Sequence, residues 1–245
     1  MTQPIYAIGD IHGQIQELER VLQLIERDGG PGAQVVFLGD YVDRGPESRG
    51  VIDTLIAGQN AGCNWVMLRG NHDRYLSRFL DDALVRDDCS SSGLHWFNPR
   101  LGGDKTLLSY GVTAAEDMPA GTVHAHALAS VPQSHRAFLA GLLNIHITEH
   151  LVFAHAGIVP GVPHEQQKED DLIWIREPFL SDPRDHGQLV VHGHTALDTA
   201  EHYGNRVNLD GGAGYFRPLC AAVFEGRECS LLTPTGRSPL APSAS

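Results

Sequence analysis

The sequence predicts an α/β fold, and three observations carry that prediction. Short apolar runs alternate with amphipathic stretches through the first 85 residues. Five apolar runs stop at a polar cluster of Gly, Asp, Asn and His. The last third of the chain holds further apolar runs joined by short connections, as β-strands would be. Alternation of strand and helix implies right-handed crossovers and a largely parallel sheet.

Ile5–Ile8 is short, apolar and stopped by Gly9-Asp10, which reads as a buried strand. Ile15, Leu18, Val21, Leu22 and Ile25 recur at helical spacing until Gly29-Gly30-Pro31-Gly32 breaks the pattern. Val35–Leu38 is a second strand, Val51–Ala57 part of a second helix, and Trp65–Leu68 a third strand. From 81 to 121 the pattern weakens, and the polar stretch Asp87–Gly93 lies inside it. This segment is expected to be a helical cap or excursion outside the sheet. Gln133–Leu143 resumes a helix. Strands follow near Asn144–Ile147, Leu151–Phe153, Leu189–Val191, Val207–Leu209, Leu219–Phe224 and Cys229–Leu232. A single domain over 1–232 is expected, with the Pro-, Ser- and Thr-rich residues 233–245 as a poorly ordered tail.

Composition narrows the function. The 245 residues carry 18 Lys plus Arg against 30 Asp plus Glu, a net charge of −12. A protein that binds duplex nucleic acid needs a basic face to displace counterions, so that class is excluded. An anionic substrate is not excluded, because bound metal ions reverse the local field. No run approaches the ~18 apolar residues of a spanning helix. Met1-Thr2-Gln3-Pro4 lacks the basic start of a signal peptide, so a cytoplasmic protein without membrane partners is expected. Cys63, Cys89, Cys220 and Cys229 form no C-x-x-C and read as reduced thiols.

The chemistry lies in the strand-end clusters. They are Gly9-Asp10-Ile11-His12-Gly13, Gly39-Asp40-Tyr41-Val42-Asp43-Arg44-Gly45, Gly70-Asn71-His72-Asp73, His155-Ala156-Gly157 and His192-Gly193-His194. Carboxyl ends of parallel strands converge on one edge, where ligands bind. One Asp-x-His is a weak signal, since an Asp after a strand often only caps the next helix. Five such ends together are hard to explain that way. Burying so many ionisable groups without a cation would cost several kcal/mol each. Carboxylate, amide oxygen and imidazole suit a dinuclear centre of Mn, Fe or Zn.

This spaced set resembles the calcineurin-like metallophosphoesterases, and more narrowly their phosphoprotein phosphatase branch of bacterial and phage type. The resemblance implies an αββα sandwich with central sheets flanked by helices. It implies that Asp10 and His12 bind the first metal, that Asp40 bridges, and that Asn71, His155 and His194 complete the second. It further implies direct in-line attack on phosphorus by a metal-bridging hydroxide, with Mn as the expected metal. His72 would be the general acid for the leaving group and Asp43 its hydrogen-bonding partner. Arg44, with its planar fork, would clamp the phosphate. Asn71 would also face the phosphate, and Arg176, in Trp174-Ile175-Arg176, matches a Trp-x-Arg phosphate-binding arginine. His192 is expected to support the site rather than ligate, and Asn208–Gly211 is assigned no chemistry.

The substrate expected on this reading is a phosphorylated protein, peptide or small phosphoester. The alternative is a dinucleoside tetraphosphate, from a related branch in which Ala typically stands in place of Asp43. A polyphosphate is already a good leaving group and needs little protonation. Asp43 therefore favours monoesters. A non-enzymatic scaffold is disfavoured by the intact ligand set.

Overall fold

In the computed structural model, which describes residues 3–84, 87, 89 and 93–243, the first apolar run forms β1 (Ile5–Ile8). The connection α1 (Ile15–Gly29) buries Leu18, Val21 and Ile25 along one stripe and ends where Gly30 turns at φ 76°. β2 (Gln34–Phe37), α2 (Ser48–Asn60), β3 (Trp65–Met67) and α3 (Asn71–Asp81) complete the alternation that the sequence predicts. α4 (Gly103–Ser109), α5 (Ala120–Ser130) and α6 (Gln133–Ala140) follow. The second half contributes β4 (Ile145–Ile147), β5 (Leu151–Ala154), α7 (Glu169–Trp174) and β6 (Leu189–His192). β7 (Glu201–His202), β8 (Arg206–Asn208), β9 (Ala221–Glu225), β10 (Glu228–Thr233) and β11 (Gly236–Pro239) close the chain.

These strands make two sheets, ordered β11-β10-β9-β1-β2-β3 and β4-β5-β6-β8-β7. The centre of each is parallel: β1 with β2 and β3, and β5 with β6 and β8. The outer strands are antiparallel, so the sheets are more mixed than simple alternation implies. Period-two alternation then builds the layers. In β1, Tyr6 and Ile8 face the cluster that includes Leu18 and Val21 of α1, while Ala7 faces the other sheet. Ala7, Val36 and Leu38 pack there against Phe153, Leu189, Val191 and Val207. On the far side, Val152, Ala154 and Val190 meet Leu172 and Ile173 of α7. Helices thus flank two packed sheets. Among the described residues no helix is long and apolar enough to cross a membrane.

The 81–121 excursion lies outside both sheets, as expected, and its helical parts among the described residues are the end of α3 at Asp81, α4 and the start of α5. Trp96, Phe97, Leu107, Tyr110 and Val112 belong to the same buried cluster as α1 and α2. Residues 85, 86, 88 and 90–92 of the excursion lie outside the described residues. One expectation is corrected: the tail is not structureless from 233 onward. β11 pairs with β10 from Ser230↔Pro239 to Thr233↔Gly236. Arg237 fastens it, donating from Nε to Asp28 at 3.0 and 2.9 Å and from Nη1 to Glu225 at 3.1 Å. The domain therefore reaches at least Pro239; residues 244 and 245 lie outside the described residues.

Candidate metal centre and active site

All five polar clusters meet at the carboxyl ends of β1, β2, β3, β5 and β6, across the seam between the sheets. The loops after β1 and β2 are knitted together by Ile11 and His12 N–H groups donating to Asp40 O at 3.1 and 2.8 Å. The His155 Nδ1–H donates to Leu38 O at 2.8 Å and ties the second sheet to the first. Among the described residues six non-glycine positions have positive φ, and five of them are His12, Asp40, Asp43, Arg44 and His194. Such backbone costs about 1–3 kcal/mol per residue and persists only where the surroundings over-determine it. Here the strain falls on the polar clusters predicted to act.

Asp73 does much of that determining. One of its carboxylate oxygens accepts the N–H groups of Asp40 and Gly70, both at 2.8 Å, and the other accepts Tyr41 N–H at 2.9 Å. Close approach needs glycine at two points. A Cβ on Gly70 would lie 2.1 Å from Asp40 Oδ1, and one on Gly193 would lie 2.0 Å from Asp10 Oδ1. Past Gly193, the His194 N–H donates to the Asp10 carboxylate at 3.1–3.2 Å.

The lone pairs of the site face one another. His12 donates Nδ1–H to Val42 O at 2.8 Å, so the neutral ring turns its Nε2 lone pair inward. That nitrogen is 3.5 Å from Asp40 Oδ2, as is His155 Nε2. His155 Nε2 and His194 Nδ1 also lie 3.0 and 2.8 Å from Asn71 Oδ1. With its Nδ1–H already given to Leu38, His155 has only an acceptor to offer at Nε2. His155 Nε2, Asn71 Oδ1 and the Asp40 carboxylate are thus acceptors facing one another, a set that suits a cation. Among the described residues two groups gather ligand atoms within 4.8 Å of one another: Asp10, Asp40 and His155, and His12, Asp40 and His72. Asp40 is common to both, so Asp10, His12, Asp40 and His155 fit a pair of divalent ions, while His72, its Nδ1–H given to Asp43, borders them.

Electrostatics agree. Without a cation, burial and then the Asp210 and Asp40 charges raise the Asp10 carboxyl well above its ordinary value. Burial, followed by the charge of Arg44, drives His12 far down. Burial and the neighbouring His155 and Arg176 charges do the same to His194. Each group strains toward neutrality in a way that a metal would relieve.

Beside the lone-pair cluster sits a second unit. His72 Nδ1–H donates to Asp43 Oδ2 at 2.6 Å, with both side chains buried. Burial pushes Asp43 up to about 7 and, with the Arg44 charge, brings His72 down to about 3. Arg44 bridges the two units, donating from Nη1 to His12 Nε2 at 2.6 Å and from Nη2 to His72 Nε2 at 3.0 Å. Its guanidinium lies 5.1 Å from the Tyr215 ring centroid.

The structure thus brings together Asp10, His12, Asp40, Asp43, Arg44, Asn71, His72, His155 and His194. Arg176 is exposed and reaches the site through its charge on His194. His192 is buried with Nδ1 toward Gly193 O at 3.1 Å and Nε2 toward Arg206 at 3.3 Å, not among the ligand groups. Sequence reasoning missed Asp73, although it ends the Gly-Asn-His-Asp cluster. It also missed Thr106 and gave no role to Trp96; both contact Asp43. None of the four cysteines is in a disulfide.

Comparison with known proteins fits this geometry. A family model described as Calcineurin-like phosphoesterase matches residues 3–224. A Caenorhabditis elegans protein assigned as a serine/threonine-protein phosphatase is 44% identical over 71 residues, which span 29% of this chain and only 19% of that relative. A crystal structure assigned as a diadenosine tetraphosphatase superposes with a TM-score of 0.64 at 23% identity, covering 97% of this chain and 95% of that one. The cold-active protein-tyrosine phosphatase of a psychrophilic Shewanella species superposes with a TM-score of 0.64 at 15% identity, covering 98% and 81%. At these identities the structural likeness is one of fold.

Proposed function

Since the chain belongs to the calcineurin-like phosphoesterase family, whose members use a dinuclear metal centre, we propose that it is a metal-dependent phosphomonoesterase acting on phosphorylated proteins or peptides. The observation that carries the reading is the buried His72–Asp43 contact of 2.6 Å beside the two Asp40-sharing ligand groups. Asp10, His12, Asp40, Asn71, His155 and His194 would hold the two ions, with Mn as the metal we assign. Bound there, the ions would supply a water-derived nucleophile at neutral pH and positive charge for the phosphoryl oxygens.

The remaining steps belong to the chain's own residues. Arg44 turns its fork from the two imidazoles onto phosphoryl oxygens, a bidentate geometry that guanidinium favours. Arg176 and the Asn71 side chain face the same anion. Leaving His72, Arg44 removes one cause of that ring's low proton affinity, and the incoming dianion favours the imidazolium. His72 Nε2 then holds a proton for the leaving oxygen while Asp43 keeps Nδ1–H fixed. Leaving alkoxides need that proton. A leaving polyphosphate does not, so the His72–Asp43 pair supports monoester over dinucleoside tetraphosphate hydrolysis. We assign the cytoplasm as the compartment, and neither duplex nucleic acid nor membrane as a partner.

The test is turnover with Mn, side by side, of phosphoserine, phosphothreonine and phosphotyrosine peptides and of diadenosine tetraphosphate. Faster turnover of a phosphopeptide is expected. Turnover of the tetraphosphate alone would overturn the substrate assignment, and no turnover of any would overturn the enzyme reading.

A further inference from the structure

The Asp43 carboxylate is fixed from outside its own loop. Its Oδ2 takes two donors, His72 Nδ1–H at 2.6 Å and Trp96 Nε1–H at 2.8 Å. Its Oδ1 takes the Thr106 hydroxyl at 2.6 Å. The Thr106 oxygen in turn accepts Asp43 N–H at 2.7 Å, so one hydroxyl grips both the main chain and the side chain of Asp43. Ser48 Oγ completes the ring, 3.1 Å from Thr106 Oγ1 and 3.2 Å from Asp43 N. Trp96 and Thr106 belong to the excursion between α3 and α5, and both are buried. The Trp96 ring is itself held, with its centroid 5.2 Å from that of Phe79. Gly103 also lies close against it, since an added Cβ there would come within 2.4 Å of the ring.

We propose that Trp96 and Thr106 are positioning residues for proton delivery: by fixing both oxygens of Asp43 they hold the His72 imidazole in line with the leaving group. The excursion thereby sets the range of esters hydrolysed. The physical ground is geometric. Asp43 sits at positive φ in a closed pocket, where water cannot replace a lost donor. With Thr106 or Trp96 removed, the carboxylate can rotate about its last torsion, and the ring bonded to it follows. Hydrogen bonds to an ionised carboxylate are short and directional, so a ring held by a loosened partner spends less time aligned. The loss must fall on proton transfer, which matters for an alkoxide and hardly at all for p-nitrophenolate.

This rests on the reading of His72 as general acid, and the experiment separates the two. Thr106→Val removes the hydroxyl at nearly constant volume, Thr106→Ser restores it, and Trp96→Phe removes the N–H while keeping a ring. Each is loaded with Mn and assayed for kcat and KM on a phosphoserine peptide and on p-nitrophenyl phosphate, with His72→Asn alongside. The downfield proton signal of His72 Nδ1–H is followed by NMR on the same variants loaded with diamagnetic Zn in place of Mn. A positioned general acid contributes roughly 10²–10⁴-fold, so partial misalignment should lower kcat for the alkyl ester by about 10-fold. The loss on p-nitrophenyl phosphate should be several-fold smaller, KM should hardly move, and Thr106→Ser should recover most of the rate. The His72 signal should broaden or shift in Thr106→Val and return in Thr106→Ser. If His72→Asn loses equally on both substrates, the general-acid reading itself fails. If His72→Asn is selective but Thr106→Val and Trp96→Phe lose equally on both substrates, or on neither, the positioning role is overturned. Should Trp96→Phe not fold, the Thr106 pair decides.

Discussion

Replacing Gly193 by alanine probes the narrowest contact in the site. The added Cβ would lie 2.0 Å from Asp10 Oδ1 and 3.1 Å from its Cγ. Ordinary van der Waals contact begins near 3.4 Å, so the two groups must separate by 3.4 − 2.0 = 1.4 Å. The carboxylate has little freedom to give way, because both oxygens already accept the His194 N–H. The chain at 193–194 is equally held, by Gly193 N–H donating to His155 O at 2.7 Å. A displacement of about 1 Å at reacting groups costs on the order of 10² in rate. Overpacking of this kind costs about 1–3 kcal/mol, a melting midpoint lower by roughly 2–12 °C at this chain length. Gly193→Ala should therefore stay folded near room temperature, hold less metal per chain, and lose about 10²-fold in kcat/KM on p-nitrophenyl phosphate. Circular dichroism, elemental analysis and steady-state kinetics read these three. A variant with full metal content and a rate within about two-fold of the parent would refute the claim that Asp10 must sit where the structure puts it.

Asp43→Ala should shift preference toward activated esters and polyphosphates, because His72 loses the partner that fixes its proton; an unchanged ratio of phosphopeptide to p-nitrophenyl phosphate turnover would count against it. The Arg237 hydrogen bond, aided by Tyr6, holds the Asp28 carboxyl below its ordinary 3.8. A lowered folded-state value stabilises the fold above the unfolded value and stops doing so as pH falls through the lowered one. Asp28→Asn should thus lower the melting midpoint by a degree or so at pH 7, as befits a solvent-screened pair worth about 0–1 kcal/mol. The gap should close below pH 3.8; a gap constant from pH 7 to pH 3 would contradict the pairing of β11.

Much of the fold was legible because its centre obeys local rules. Ile5–Ile8 reads as a strand and is one, and the Leu18, Val21 and Ile25 stripe marks α1. The strand ends were legible for a topological reason, since parallel neighbours deliver their carboxyl termini to one edge. What escaped depends on partners far away in sequence. β11 carries Arg237 and Ser238 and no apolar run; it is a strand because β10 offers a ladder and Asp28 a carboxylate. α5 has small residues on most faces and buries only Val123 and Ala127, so its periodicity is faint. Trp96 and Thr106 meet Asp43 across 53 and 63 residues of weakly patterned chain, a distance that spacing rules do not bridge. Asp73 was within reach: an acidic residue three positions after the glycine that precedes a helix often accepts that glycine's N–H, as it does here. The net charge of −12 also takes on a local meaning, since Asp10, Asp40, Asp43, Asp73 and Asp210 are buried near one sheet edge, where bound cations would offset them.

Counting metal ions in the parent and in Asp40→Asn tests the central claim most directly, because Asp40 is shared by both ligand groups. The protein is exchanged into Mn, freed of excess and measured by elemental analysis together with its rate on p-nitrophenyl phosphate. A dinuclear centre of the family type predicts two ions per chain in the parent, fewer than two in Asp40→Asn, and a parallel loss of turnover. Full occupancy and full activity in Asp40→Asn, or turnover by a parent chain stripped of metal, would contradict it.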